Sequence, residues 1–386
     1  RALKHAQALG ELFNTRRGIA VAGTHGKTTT TSMISFILER CGISPSFQIG
    51  GVSVDLGTSA SWGQGEWMVI EADEFDRRFL EYRPEIAVVT NVEPDHFEYY
   101  GTYEQMRGAF ADFLRQVQPQ GTVVAYGDDL RLAGLLDEVL PPRVLRYGLT
   151  RGGAPAGLDI CASDVELTGQ GSRFTVTLAS PSGSTQRTPV QLRVLGEHNV
   201  LNALAAIGAS HLVGVPPAAA AEALSTFSGA ERRFQLLADV EGIRLFEDYA
   251  HHPTEVRVNL EAAHRLVAPD GRLWAVFQPH LLTRTEMLFD EFTHAFDAAD
   301  VVVIADVYSP AGREPAGNYR RSDALVSAIA ARGHNGARHV PELADIRALL
   351  ARELRAGDVV LVMGAGNVDE LGRQAASDLK ERAQTT

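Results

Sequence analysis

Ile19-Ala20-Val21-Ala22 runs directly into Gly23-Thr24-His25-Gly26-Lys27-Thr28, and a helix-like stretch follows from Thr28 to about Arg40. An apolar run, a glycine turn and a helix in that order predict a strand entering its helix through a phosphate-type loop. Backbone N–H groups at a helix N-terminus point outward and the helix dipole favours negative charge, so such a loop holds an anion. Lys27 would meet terminal phosphates as a point charge, and the Thr28 hydroxyl would ligate Mg²⁺. Only the GxxGKT half of the full phosphate-loop pattern is present, because Val21 stands where the pattern asks for its first glycine. A glycine-rich turn that binds nothing stays open as the alternative. Lysine usage favours the nucleotide: of 36 basic residues only Lys4, Lys27 and Lys380 are lysines, and one of them occupies this position. Lysine and arginine are not interchangeable at such a loop.

The remaining chemistry must be local. The formal net charge is −12, which gives no general pull towards nucleic acid or an anionic membrane. The longest apolar runs, such as Val301 to Ala305, fall far short of the roughly 18 residues that span a bilayer, so no membrane insertion is expected. Cys41 and Cys161 are the only cysteines and form no CxxC pair, which fits a reducing, cytoplasmic compartment and excludes a thiolate metal site of the usual kind. The chain opens at Arg1 with no signal-like segment, and an upstream piece is expected to be missing.

At 386 residues the chain is long enough for two to three domains. Met68-Val69-Ile70 and Ile86 to Thr90 read as buried parallel strands, Tyr103 to Val117 as an amphipathic helix, and Thr122 to Ala125 and Arg143 to Arg146 as strands around a helix at 129–139. Between Gly157 and Leu195 the pattern changes to alternation, with Ser-Pro-Ser-Gly at 180–183 as a turn, predicting an antiparallel segment added to the same sheet. Helices return at about 198–213 and 217–227. After Gly229 a second α/β alternation begins, with strands near 234–238, 243–247, 272–277, 301–306 and 358–363. The expected fold is α/β throughout: a phosphate-loop ATPase-like domain over 1–229 with an antiparallel addition, then a Rossmann-like α/β domain over 230–386. Met363-Gly364-Ala365-Gly366-Asn367 lacks the third glycine of a dinucleotide loop and reads as a structural turn.

Two polar clusters follow strands of the first region. Glu71-Ala72-Asp73-Glu74-Phe75-Asp76 follows Ile70, and Asn91-Val92-Glu93-Pro94-Asp95-His96 follows Thr90. Ligands of open α/β sheets sit beyond the carboxyl ends of strands, so both clusters should face the Gly23 loop. Mg²⁺ takes a few carboxylates together with phosphate oxygens, which makes Glu71, Glu74 and Thr28 candidate ligands.

The run Gly23 to Ser32, the Glu71-Ala72-Asp73-Glu74 tetrad and Thr90-Asn91 to Asp95-His96 together resemble the Mur ligases of peptidoglycan synthesis. Gly196-Glu197-His198-Asn199 with Asn202, and Arg232-Arg233-Phe234 with Asp248-Tyr249-Ala250-His251-His252-Pro253, extend the resemblance over nearly the whole chain. Phe277-Gln278-Pro279-His280 with Arg284-Thr285 is similar to the branch that joins L-alanine to UDP-N-acetylmuramate. The resemblance implies an ATP- and Mg²⁺-dependent amide-forming ligase working through an acyl phosphate. It implies that Gly23, Thr24, His25, Gly26, Lys27, Thr28 and Thr29 cradle the ATP phosphates. Glu71 would hold a first Mg²⁺, with Glu74 beside it, and His96 a second. Asn199 and Asn202, next to His198, would meet adenine, and Arg233 and Asp248 would reach the nucleotide on domain closure. Tyr249, His251, His280 and Arg284 would serve the amino acid and muramyl substrates, with Lys27, Glu71, His96 and His251 in the catalytic set.

Some relatives brace a metal with a carbamylated lysine, and no lysine between Lys27 and Lys380 is there to do so. Phe75 stands where a polar residue is usual in the family, and Leu281-Leu282 where a polar pair is usual. Both leave the amine substrate open. The alternatives are a recycling ligase that attaches a preformed peptide to UDP-N-acetylmuramate, other amino-acid ligases of the superfamily, and a nucleotide-binding relative without ligase activity. The resemblance also implies an N-terminal UDP-binding domain, expected either to be missing ahead of Arg1 or to be absent from an atypical relative. Expected partners are the small-molecule substrates and no nucleic acid, for a monomer or a homodimer.

Overall fold

The computed structural model describes residues 3–150, 157–179, 185–314 and 316–385, so the turn expected at 180–183 lies outside the described residues. The chain divides into two compact units, Arg1–Glu231 and Arg232–Thr386.

In the first unit, strands β1 (Arg17–Ala22), β2 (Ser46–Ser53), β3 (Thr58–Ser61), β4 (Trp67–Glu71), β5 (Ile86–Val89), β6 (Thr122–Tyr126), β7 (Val144–Leu149), β8 (Ile160–Thr168), β9 (Gly171–Ala179) and β10 (Thr185–Leu192) form one sheet. Its order is β10-β9-β8-β7-β6-β5-β1-β4-β2-β3. The strands from β8 to β2 pair in parallel, and β3, β9 and β10 pair antiparallel to their neighbours. β1, β4 and β5 are apolar without alternation because both faces are covered. Ile19 and Val21 enter one core with Ile34, Val69 and Ala203. Ala20 and Ala22 enter the opposite core with Ile70, Phe79 and Phe110.

Thr28 to Ser32 are all buried in the first turns of the Lys27–Arg40 helix. β-Branched residues favour helices little, so tertiary packing maintains these turns. The hydroxyls of Thr31 and Ser35 donate to the carbonyls of Lys27 and Thr31, each at 2.8 Å, which satisfies them without water. The Glu197–Val213 helix is buried along most of its length and rich in Ala, as befits a helix enclosed by its neighbours.

The β2–β3 hairpin and the His5–Phe13 helix have no counterpart in the sequence-based expectation. The predicted helix over 217–227 ends at Leu224, and residues 225–227 continue only as hydrogen-bonded turns. Ala230 bridges Ser53 and the Glu231 N–H donates to the Val52 carbonyl at 2.9 Å, which keeps both residues with the first sheet.

The second unit holds β11 (Gln235–Val240), β12 (Ile243–Asp248), β13 (Leu273–Phe277), β14 (Val301–Ile304), β15 (Ala337–His339) and β16 (Val359–Met363) in the order β11-β12-β16-β13-β14-β15. All neighbours are parallel except the edge strand β11. Among the described residues, no helix is long and apolar enough to cross a membrane.

Candidate active site

β1 lies between β4 and β5, with Val21 opposite Glu71 and Ala22 opposite Val89. The chain therefore leaves three adjacent strand ends at one edge: the Gly23 loop, the Glu71–Glu74 tetrad and the Thr90–His96 segment. A strand-order reversal of this kind is where open α/β sheets bind ligands. Val21 is still inside β1, so the turn begins at Gly23. Gly23 has φ 133°, and a Cβ there would come within 2.1 Å of Thr90 Oγ1. Gly26 caps the helix at φ 81°, and its Cβ would come within 2.6 Å of Asn202 Oδ1. A side chain at either position would be strained by its backbone angle and would displace the neighbouring side-chain oxygen.

Lys27 folds back across the loop. Its Nζ donates to the Gly23 and Thr24 carbonyls at 2.6 and 3.1 Å and to Glu74 Oε1 at 2.9 Å. His96 Nε2 approaches the same Glu74 oxygen at 3.3 Å, and its Nδ1 lies 3.4 Å from Glu98. Glu74 is only 1 % exposed, and its Oε2 has no hydrogen-bond partner among the described residues. Burial would raise the Glu74 carboxyl, but the Lys27 and His96 cations outweigh it and hold it below its usual value. Burial would likewise lower His96, yet Asp95, Glu74 and Glu98 around it push it up to about 10. Burial, followed by the Glu74 charge, raises Asp73.

Two places suit a hard cation. The Thr28 hydroxyl donates to Glu71 Oε1 at 3.1 Å, while Glu71 Oε2 accepts the Gly50 N–H at 2.6 Å. Asp73, Glu74 and His96 can each turn a ligand atom to within 4.8 Å of the others, beside the orphaned Glu74 oxygen. Carboxylate and hydroxyl oxygens are the donors that Mg²⁺ takes together with phosphate oxygens. Thr28, Glu71, Glu74 and His96 are thus brought together. Asp73 joins them without having been singled out, although its place within the tetrad was a signal.

Thr24 and His25 have their N–H groups turned the other way, onto Asn91: Thr24 N–H to the Asn91 carbonyl at 3.1 Å and His25 N–H to Asn91 Oδ1 at 2.9 Å. The first-turn N–H groups of Lys27, Thr28 and Thr29 have no intrahelical acceptor, as in any helix. Asn199 and Asn202 are each 7 % exposed. Asn202 Oδ1 accepts from Thr30 Oγ1 at 3.2 Å and its Nδ2 donates to Asn199 Oδ1 at 3.0 Å. Asn199 Nδ2 donates to the Leu195 carbonyl at 2.7 Å and lies 3.2 Å from His198. This chain of amides ties the Glu197–Val213 helix to the loop-bearing helix.

The candidates of the second unit gather at the carboxyl ends of β12 and β13. Asp248 accepts the Phe234 and Ala250 N–H groups at 2.7 and 2.6 Å, bracing a segment in which Arg232 and Phe234 have positive φ. Burial pushes the Asp248 carboxyl up to about 6 against the pull of Arg233. The Arg233 guanidinium lies 5.1 Å over the Tyr249 ring, and His251 meets Tyr249 edge-on at 5.3 Å. His251 Nδ1 is 3.0 Å from the Tyr249 carbonyl. The His280 ring centroid is 6.2 Å from that of His251, and His280 stacks on Tyr308 at 5.8 Å. Arg284 is 2 % exposed and sets Nη1 3.2 Å from the His280 carbonyl and 3.1 Å from its Nδ1. Leu281 is buried with φ 70°, and Phe75 packs against His96 and Tyr99 at 5.2 and 5.5 Å.

A lysine-bearing loop at a strand-order reversal, flanked by carboxylates suited to hard cations, defines an α/β protein built to handle phosphate. The chain belongs to the Mur ligase family: residues 21–210 match the Mur ligase middle domain, and residues 232–366 the Mur ligase glutamate ligase domain. It is 43% identical to the UDP-N-acetylmuramate–L-alanine ligase of Acidithiobacillus ferrooxidans over 96% of this chain and 78% of that protein. It is 41% identical to the enzyme of the same name from Mycobacterium marinum, over 97% of this chain and 76% of the relative. Among solved structures, the UDP-N-acetylmuramate–alanine ligase of Thermotoga maritima superposes with TM-score 0.74 at 27% identity, covering 98% of this chain and 78% of that one. A murein peptide ligase from Psychrobacter arcticus gives 0.72 at 28% identity, covering 98% and 81%. The expected family and the expected α/β fold class are both borne out.

Proposed function

We propose that this chain is a ligase of peptidoglycan precursor synthesis that joins L-alanine to the muramyl carboxylate of UDP-N-acetylmuramate, driven by ATP. The observation that carries the reading is the Lys27–Thr28 helix start with Glu71 3.1 Å from the Thr28 hydroxyl. The names of relatives about 40% identical supply the substrates.

A carboxylate is a poor acyl donor, so its oxygen first attacks the γ-phosphorus of ATP and ADP departs, leaving an acyl phosphate. The amine then attacks the acyl carbon and inorganic phosphate leaves as the amide forms. Charge grows on the transferring phosphoryl oxygens, where Lys27 and the N–H groups of Gly26 to Thr29 stabilise it. Thr28 and Glu71 would hold one Mg²⁺ and Asp73, Glu74 and His96 another, and Mg²⁺ supplies charge neutralisation at those oxygens. For Lys27 to reach a phosphate it must exchange its bonds to Gly23, Thr24 and Glu74. Asn199 and Asn202, with His198 beside them, serve the adenine, and Arg233 and Asp248 the nucleotide. A His251 Nδ1–H donating to the Tyr249 carbonyl leaves the acceptor lone pair on Nε2, which suits it to take the amine's proton. Tyr249, His280 and Arg284 complete the substrate side.

The boundary expected at 229/230 falls two residues later in this reading: Arg1–Glu231 acts as the ATP-binding domain and Arg232–Thr386 as the C-terminal domain of a cytoplasmic monomer or homodimer. The test is phosphate release with UDP-N-acetylmuramate and, separately, L-alanine, glycine, L-serine or a tripeptide. Turnover with the tripeptide alone would move the chain to peptide recycling.

A further inference from the structure

We propose that Asn91 is a positioning residue for the nucleotide's phosphates, acting through the Gly23–Thr28 loop; this rests on the ATP-ligase reading above. The ladder between β1 and β5 ends where the Thr90 N–H donates to the Ala22 carbonyl at 3.1 Å. Beyond it Asn91 continues the pairing by other means. Its carbonyl accepts the Thr24 N–H at 3.1 Å. Its side-chain Oδ1 accepts the His25 N–H at 2.9 Å, and its Nδ2 donates to the His25 carbonyl at 3.2 Å. One side-chain amide therefore engages both backbone groups of one loop residue, as a paired strand would.

Neighbouring contacts lock the same turn. Thr90 Oγ1 donates to the His25 carbonyl at 2.5 Å. The Thr24 hydroxyl donates to the Glu93 carbonyl at 3.0 Å and accepts the Glu93 N–H at 2.8 Å. With the peptide planes at 24 and 25 fixed towards β5, the left-handed turn at Gly26 decides where the next N–H groups point. Those are the groups of the helix start, which aim at an anion. Asn91 touches no phosphate itself. It sets the direction of the donors that do, and it excludes Thr24 and His25 from the donor set.

Only asparagine satisfies both groups of His25. Aspartate keeps the shape but turns an acceptor towards the His25 carbonyl, and alanine makes neither bond. Loss of two hydrogen bonds of ordinary net strength predicts a roughly 10- to 30-fold weaker hold on the phosphates. The experiment measures ADP binding by calorimetry and initial rates at varied ATP and varied amine, on the whole chain carrying Asn91→Ala or Asn91→Asp. Asn91→Ala is expected to raise Kd for ADP and KM for ATP by that factor, and Asn91→Asp, which keeps the bond from the His25 N–H, by roughly 3- to 10-fold, while KM for the amine stays at the wild-type value. A residue that only supports the fold would lower apparent kcat through loss of active protein and leave KM for ATP and Kd for ADP unchanged. That outcome overturns the proposal. Should Asn91→Ala fail to fold, the isosteric Asn91→Asp decides by the same readouts. A wild-type chain that binds ADP but turns over no amine refutes the ligase reading alone, and the Kd comparison still decides on Asn91. A wild-type chain that binds no ADP overturns both.

Discussion

Glu74→Gln keeps the shape of the side chain and removes the one negative charge shared by Lys27 Nζ at 2.9 Å and His96 Nε2 at 3.3 Å. At an effective dielectric constant of about 20, unit charges at the 2.9 Å Lys27–Glu74 separation attract by about 6 kcal/mol. Desolvation of a carboxylate that is 1 % exposed offsets much of that. What decides the variant is the ammonium left behind, since removing one partner of a buried pair costs roughly 3–5 kcal/mol. Each kcal/mol moves the midpoint of a unit this large by roughly 2–4 °C, so Tm should fall by about 10 °C. Urea and thermal unfolding followed by circular dichroism measure the loss. Lys27→Met in the Glu74→Gln background should restore part of it, because the orphaned charge is then gone. The reasoning is refuted if Glu74→Gln unfolds within about 1 kcal/mol of wild type, or if the double variant loses the sum of the two single losses.

Asn202→Ala removes the amide between Thr30 and Asn199 and should cost about 2 kcal/mol in urea unfolding, together with weaker ADP binding by calorimetry. The Asp248 carboxyl is raised in the folded chain, so the stability tied to its proton is fully present below the unfolded value of about 4 and is lost as pH rises through about 6. Denaturation of the wild type across that window should show the decline, and Asp248→Asn should flatten it. Gly23→Ala forces a Cβ against Thr90 at a backbone angle that alanine rarely adopts, and should abolish ADP binding in a calorimetric titration.

The loop-bearing strand and helix were legible because their signals are local. An unbroken apolar run marks a strand covered on both faces, and a Gly-Lys-Thr start after it marks a helix that meets an anion. The same holds for the Glu71–Glu74 tetrad and His96, which follow strands and so had to emerge at one edge. The β2–β3 hairpin was not legible: Gly50-Gly51 interrupt the apolar Phe47, Ile49 and Val52 of β2, and β3 is Thr-Ser-Ala-Ser, so neither strand shows an apolar run of its own, and β2 is held by pairing with β4. Asn91 stood within the Thr90–His96 motif, yet no role was attached to it, for a related reason. An asparagine after a strand looks like any turn residue, and its task appears only once β5 lies beside β1. Gly50, which donates to Glu71, lies on a strand that no motif touches. For Asn199 and Asn202 the family resemblance implied an adenine contact, whereas three-dimensional packing adds helix-to-helix hydrogen bonds that no motif reveals.

Phosphate release tests amide synthesis through a phosphorylated carboxylate most directly. With Mg²⁺, ATP and UDP-N-acetylmuramate present, release should depend on L-alanine, yield one phosphate per amide formed, and vanish in Lys27→Ala. Release that ignores every amine, or that persists undiminished in Lys27→Ala, would contradict it.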